Sequence, residues 1–540
     1  MWKVRTTKTG SGNTAVQVVR REHQKTIIVK HIGTAGSKHD LTLLKKQAET
    51  YIHNKSGLNP LFPGFFGLSQ QQTIAEVAQA MNRLDADKAF HIFAHTFLSF
   101  FYDRLGFTGL KNDLLRDLAI IRIIEPCSKL RSLELLEKYF SLRYGRTTLQ
   151  HKLPDILAQK GNIETITVAY AKEYLGFDFS IVFYDVTTLY FEGFTEDEDT
   201  LDKDGNITAK GLRRDGFSKD LKFNQPQIVI GLIVTKEGFP VAHEVFEGNT
   251  FEGDTFIPAI LSFKKKYAIQ TFTVVADAAM ISLDNVEKLG ELQLSYIVGA
   301  RITNLKRSQM KQISTELIGE VRESKDMEKK DGVSMRITTK RGLLVCDFSF
   351  KRYLKDKREM EKQITRAENL IEKNTESKRT KFLRLKKSKK KEKVYELNSE
   401  LIEKTRLMLG IKGYYTNLFE KDKNITPADI INHYHSLWHV EKAFRIAKSD
   451  LEARPIFHQK KENIEAHIVI VFVSLCISKS IEMLTHYSIK KVKDMIWDVL
   501  DINFTDMPTG TSFIKRINTT GNQMVKLLEK LQNGENFLGK

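Results

Sequence analysis

Three acidic residues occupy positions where an acid is out of character. Asp185 interrupts the apolar run IVFYDVTTLY, and Asp277 closes the apolar run FTVVADAAM. Aspartate is depleted in strands, and open α/β sheets place ligands at the carboxyl ends of their strands. Taken singly, each reads more readily as a strand-end or capping aspartate. Taken together, they can be carried by neighbouring strands of one sheet, where two carboxylates repel unless a cation lies between them. Hard oxygen ligands favour Mg²⁺ or Mn²⁺ over zinc, for which there is no matching His/Cys set. A third acid, Glu441, lies in YHSLWHVEKAFRIAKSDLEARPIFH, residues 434 to 458. At helical spacing Tyr434, Leu437, Glu441, Arg445 and Lys448 share one face. An acid turned towards metal ions and flanked by Arg445, Lys448 and Arg454 suits a phosphodiester: the metals activate a nucleophile while the cations hold phosphates. The plainer alternative is a solvated face on which Arg445 pairs with Glu441 at i, i+4.

The elements that must position these residues are legible as period and punctuation. NTAVQVV and KTIIVKHIG, within 13–33, read as a β-hairpin. From about residue 40 to 175 the spacing is helical, as in TIAEVAQAMNRL and KNDLLRDLAIIRII. SKLRSLELLEKYFSL, the break RYG and TTLQHKLPDIL make a candidate helix-turn-helix with Arg146, Gln150, His151 and Lys152, although any two amphipathic helices around a glycine look alike. Strands then dominate. FSIVFYDVTTLYF is one; PQIVIGLIVTKEGFPVAHEVFEG is two joined at Lys236-Glu237-Gly238. After the helix GDTFIPAILSFKKKYA come the strand TFTVVADAAM, a helix capped by Ser282, and the strand LSYIVGARI. This order packs as a mixed five-stranded sheet with flanking helices. Further on, RITTKRGLLVCDFSF alternates like strands, residues 351–373 form a charged helix, and KGYYTNLF returns to a strand. TPADIINHYHSLWHVEKAFRIAKSDL opens on a helix-start signature and keeps helical spacing throughout.

Charge narrows the partner. Lys and Arg number 85 against 67 Asp and Glu, a net +18 over 540 residues. That surplus favours polyanions, nucleic acid before an anionic membrane. Residues 303–408 hold 30 of the Lys/Arg against 17 Asp/Glu, including KFLRLKKSKKKEK; a solvated lysine-rich face is the alternative to nucleic-acid contact. The three cysteines, Cys127, Cys346 and Cys476, are far apart, so a disulfide framework or zinc site is not expected, which fits a reducing cytoplasm. No apolar signal core opens the chain, and IVIVFVSLCI is too short to span a bilayer, so a buried segment and no membrane partner are expected.

With these residues in place the sequence resembles the DDE transposases of bacterial insertion sequences, in the branch with a Y-x2-R-x3-E-x6-K signature. Tyr434, Glu441 and Lys448 match its Tyr, Glu and Lys; Asp185 in YDVTTLYF and Asp277 in VVADAAMIS match its two aspartates. RIIEPCSKL, PQIVIGLIV through FEGNT, YYTN, and LEARPIFH through IEAHI are also similar to family text. Two positions depart: Leu437 stands at the signature Arg, and Ala278-Ala279 follow the second Asp where glycine is frequent.

The resemblance implies an α/β, ribonuclease H-like catalytic core interrupted by a β-rich basic insertion, with a mainly helical N-terminal region. It also implies that the insertion lies along DNA. The expected division is a hairpin and helix (1–60), a helical DNA-binding region (61–175), the core's first part (176–302), the insertion (303–408), the core's second part (409–505) and a tail (506–540). Asp185, Asp277 and Glu441 would be both catalytic residues and ligands of two Mg²⁺ or Mn²⁺ ions. Tyr434, Arg445, Lys448 and Arg454 would contact DNA. Tyr414 and Tyr415 would either stack on an unpaired base or face the core. The implied activity is cleavage of element ends at terminal inverted repeats and joining to target DNA, by a homodimer, in the nucleoid-associated cytoplasm. Another ribonuclease H-like nuclease, such as a junction resolvase, and a non-catalytic DNA-binding derivative are the alternatives.

Overall fold

The structure is a computed structural model that describes residues 2–10, 12–22, 25–56, 79–217, 224–280, 282–319, 324–339, 342–373, 380–385 and 395–533. It divides into two compact units, residues 1–89 with 502–515, and residues 90–501 with 516–540. In the first, the expected hairpin is present as Thr14–Glu22 and Lys25–Ala35, with Trp2–Lys8 added antiparallel to the former. Helix Lys38–Ser56 covers this sheet around Val16, Val18 and Ala48. A strand, Leu84–Phe90, stands where helical spacing was expected, and forms a sheet with Leu500–Asp506 and Thr511–Ile517. The first half of TIAEVAQAMNRL, residues 73–78, lies outside the described residues.

The second unit is built on one mixed sheet. Its strands are β1 (Ile181–Tyr190), β2 (Gln227–Val234), β3 (Pro240–Glu247), β4 (Thr273–Ala276), β5 (Ser295–Gly299), β6 (Ser334–Thr339), β7 (Gly342–Phe348) and β8 (Ile411–Thr416), in the order β6-β7-β8-β5-β4-β1-β2-β3. The expected five-stranded sheet is thus eight-stranded. β1, β4 and β5 run parallel at the centre, and all other pairings are antiparallel. Every residue of β2, β4 and β5 is buried, as expected for strands covered on both faces.

The helices of this unit that matter here are α1 (Ile92–Arg104), α2 (Asp113–Ile124), α3 (Lys129–Phe140), α4 (Arg146–Ala158), α5 (Lys160–Leu175), α6 (Glu252–Lys266), α7 (Leu283–Glu291), α8 (Arg307–Leu317), α9 (Phe350–Glu372), α10 (Ser399–Leu407), α11 (Pro427–His435), α12 (Trp438–Arg445), α13 (Lys461–Thr485) and α14 (Ile489–Trp497). IVIVFVSLCI is the middle of α13. This helix is long and apolar enough to cross a membrane, but 83% of its most apolar window is buried inside the protein. It packs against α2, α4 and β3, and Ser474 donates to the Ala119 carbonyl at 3.0 Å.

The segment 303–408 corrects an expectation. It is not β-rich: among the described residues it consists mainly of α8, α9 and α10, with α9 alone spanning 23 residues. Its β6–β7 hairpin adds to the core sheet through β8 rather than forming a sheet of its own. The helices close a small separate core of Met360, Ala367, Phe382, Ile402 and Leu409. Most of the lysine run in KFLRLKKSKKKEK lies outside the described residues.

Candidate active site

The two aspartates owe their meeting to strand register. β1 and β4 pair in parallel, with Tyr184 opposite Ala276. One step further along both strands are Asp185 and Asp277. Side chains alternate between sheet faces, and here the faces are distinguishable. Tyr184 points to α6, where its hydroxyl donates to Thr255 at 2.8 Å and its ring meets Phe256. The opposite face of β1 presents Asp185, Thr187 and Leu189. Thr187 and Leu189 share a small apolar cavity with Phe444, Ala447 and Lys448. Asp185 therefore lies on the face covered by the helix that carries Glu441.

That helix does not run unbroken, as its spacing suggested. A capping box starts α11, with Thr426 accepting from the Asp429 amide and the Asp429 carboxylate accepting from Thr426. After His435 the chain tightens into i→i+3 bonds, Leu437 to Tyr434 and Val440 to Leu437, before α12 begins. A π-helical turn, Ile446–Asp450, follows α12. The supposed single stripe is consequently split. Tyr434 and Leu437 are buried at 5% exposure, while Glu441 and Arg445 are exposed. Leu437, at the signature Arg position, has become a core residue, where a guanidinium would have to be buried.

Tyr434 joins the acids. Its hydroxyl donates to Asp277 Oδ1 at 3.2 Å. Burial pushes the phenol's pKa up, and the negative charges of Asp277, Glu441 and Asp185 push it further. One buried hydroxyl thus feels all three acids. Gly299 at the end of β5 permits this approach, since a Cβ there would lie 2.4 Å from the Tyr434 hydroxyl and 3.0 Å from the Ala278 amide.

Among the described residues, Asp277 and Glu441 make no ion pair and Arg445 makes none. The alternative in which Arg445 neutralises Glu441 is not what the structure contains. Lys448 lies beside Thr187 and Leu189 on the Asp185 face. The Arg454 guanidinium lies over the ring of Tyr190, at the far end of β1 from Ile181, at 5.6 Å. Tyr414 and Tyr415 are buried at 0% and 3% exposure, so they face the core and are not available to stack on a base.

The donor set suits a hard divalent ion in type, being carboxylate oxygen without histidine or cysteine. Among the described residues, however, no group of three or more His, Cys, Asp or Glu is close enough to hold a metal ion. The acids are gathered without being closed into a cage.

Sequence reasoning missed Lys412. Its ammonium lies 4.4 Å over the Tyr434 ring, and Tyr434 in turn packs on Tyr414 with ring centroids 4.7 Å apart. Burial and the nearby Arg352 lower the Lys412 pKa, while Asp347, Asp277 and Glu441 hold it up. Lys412 pairs across the ladder with Asp347, a buried carboxyl whose pKa burial raises. The available signal was period two in IKGYYT: Lys412 and Tyr414 must share a face.

A family model described as "Transposase DDE domain" matches residues 180–477, from just before β1 to within α13. The cryo-EM structure of a piggyBac transposase synaptic complex with hairpin DNA is similar at 11% identity and a TM-score of 0.32. The similarity covers 65% of this chain and 58% of that one, so the chain spans less than two thirds of that relative. No curated protein matches.

Proposed function

The chain belongs to the transposase DDE domain family, and on that premise we propose that it is a DNA transposase whose acid triad is Asp185, Asp277 and Glu441. The observation that carries this reading is the register that sets Asp277 beside Asp185, on the face covered by the helix bearing an unpaired Glu441. The strand order β3-β2-β1-β4-β5, with β2 antiparallel to its neighbours and β1, β4 and β5 parallel, supports a ribonuclease H-like core.

In this reading Asp185, Asp277 and Glu441 would hold two Mg²⁺ or Mn²⁺ ions once drawn closer together than they stand here. When bound, such ions supply an activated nucleophile and stabilise the leaving oxygen of a phosphodiester. The remaining roles belong to the chain. Tyr434 holds the Asp277 carboxylate by its hydrogen bond. Lys412 counters the charge of Asp277 and Glu441 from beneath Tyr434. The exposed Arg445, with Lys448 on the Asp185 face, contacts backbone phosphates; Arg454 does so further along β1. α3 and α4 read the terminal inverted repeats, and two copies pair the element ends.

The test uses the full chain, a duplex carrying the element's terminal inverted repeat, and Mg²⁺. Cleavage at the element end, followed by joining to a target duplex, is expected; joining separates this activity from that of a junction resolvase. Asp277→Asn is expected to lose cleavage and keep duplex binding. Undiminished cleavage by Asp277→Asn would sink the assignment.

A further inference from the structure

A second charged site lies among the helices. A cavity of about 260 Å³ is lined by Arg122, Lys129, Arg146, Gln150, His458 and His467, among others. Two stretches set apart by their sequence, RIIEPCSKL and LEARPIFH, meet in it. Three helices also begin at its wall. Lys129 opens α3, Arg146 opens α4, and Asn463 lies in the first turn of α13. Neither α4 nor α13 has a side-chain cap. Helix N-termini present free amide hydrogens and the positive end of the macrodipole.

Among the described residues Glu452 is the one carboxylate that acts on Arg122, as a distant counter-charge, and the cations here are otherwise met by neutral groups. Arg122, 4% exposed, donates to the carbonyls of Leu451 and Glu452 at 3.0 Å and of Cys127 at 2.7 Å. Lys129, also 4% exposed, donates to His467 Nδ1 at 2.9 Å, while His467 Nε2–H donates to the Ala453 carbonyl at 3.2 Å. No carboxylate forms an ion pair with Arg122, Lys129, Arg146 or His458 in the described part of the chain. A buried ammonium with one neutral partner is costly, and a methionine would fill the same space. Packing alone therefore does not account for Lys129. An anion entering from the Arg146 and Gln150 side, both exposed, would meet two buried cations, an exposed one and three helix N-termini.

We propose that this cavity binds a phosphate group, either a backbone phosphate of DNA or a free phosphate ion. Phosphate is the anion that fits because its several oxygens can accept from amides and cations converging from different directions. The DNA source rests on the transposase reading; the phosphate chemistry does not.

The experiment titrates the full chain with inorganic phosphate at constant ionic strength, by calorimetry, and separately with a duplex of arbitrary sequence. The variants are Lys129→Met and Arg146→Ala; the latter is exposed, so it keeps the test standing should the former not fold. At least tenfold weaker phosphate binding in the variants, with duplex binding unchanged, assigns the cavity to a free phosphate. If Lys129→Met weakens duplex binding together with Arg146→Ala, the latter reducing its salt dependence by about one ion, the phosphate is that of DNA; weaker duplex binding in Arg146→Ala alone, with phosphate binding unchanged, overturns the proposal. If neither ligand's binding changes in either variant, the proposal is overturned. Neither arm reads cleavage, so loss of the transposase assignment would leave the phosphate result interpretable.

Discussion

Asp277, just past β4, and Glu441, on α12, stand exposed without an ion pair among the described residues; at the start of α3, Lys129 stands buried without one. The two regions differ in more than sign. Water solvates an exposed carboxylate, so an unpaired acid at the surface is inexpensive, and its meaning comes from its placement: Asp277 beside the strand of Asp185, Glu441 on the helix covering that face. A buried ammonium has no such solvent, so its lack of a partner is itself informative. The acid site is therefore argued from topology, the cation site from energetics. Asp185→Asn and Glu441→Gln should each lower cleavage of element-end DNA by about 10³-fold or more, a loss of about 4 kcal/mol in transition-state stabilisation. Their melting temperatures should stay near that of the parent chain. Loss of activity accompanied by unfolding would instead place these acids among the supports of the fold.

The next two effects concern how the acid site is held. Leu437→Arg restores the signature residue but puts a guanidinium where a 5% exposed leucine now packs. It should destabilise the chain by about 3 kcal/mol, measured by chemical denaturation; a neutral outcome would mean that the α11–α12 junction can turn this position outward. Gly299→Ala drives a methyl group into the Tyr434 hydroxyl. A cost of about 1–3 kcal/mol is expected, with weaker cleavage because the hydroxyl no longer reaches Asp277. Unchanged stability and cleavage would show that Tyr434 does not position the acid.

The two sites were unequally legible. The acid site could be read because Asp185 and Asp277 interrupt apolar strands, a contradiction visible in a few letters. The unbroken helix over 426–451 could not be corrected from sequence, since no proline or glycine marks the tightening at Ser436 and Leu437. The helical character of 303–408 was missed because the resemblance implied a β-rich insertion there, although the residues themselves already read as a charged helix over 351–373. The cation site was illegible for a different reason. Arg122, Lys129, Arg146 and His467 come from four helices, and in KLRSLELLEKYF a lysine looks like part of a solvated face. Only tertiary packing buries it.

Burial at Lys129 also makes stability depend on pH. Burial and repulsion by Arg122 hold the Lys129 pKa well below the usual lysine range. Between that depressed value and the unfolded value of about 10.4, the unfolded chain binds more protons than the folded one. Stability contributed at this position must therefore rise with pH across the window, and the full cost of the buried charge is present below it. Lys129→Met removes the cost. In phosphate-free buffer it should stabilise the chain at neutral pH by about 1–2 kcal/mol and flatten the rise towards pH 10. His458, held down at about 4 by burial, does not titrate in that range and cannot imitate the effect. Denaturation curves at pH 7 and pH 10 decide the matter. A less stable Lys129→Met with an unchanged slope would mean that the ammonium is already neutralised in solution, and the contrast between solvated acids and stranded cations would fail at its buried end.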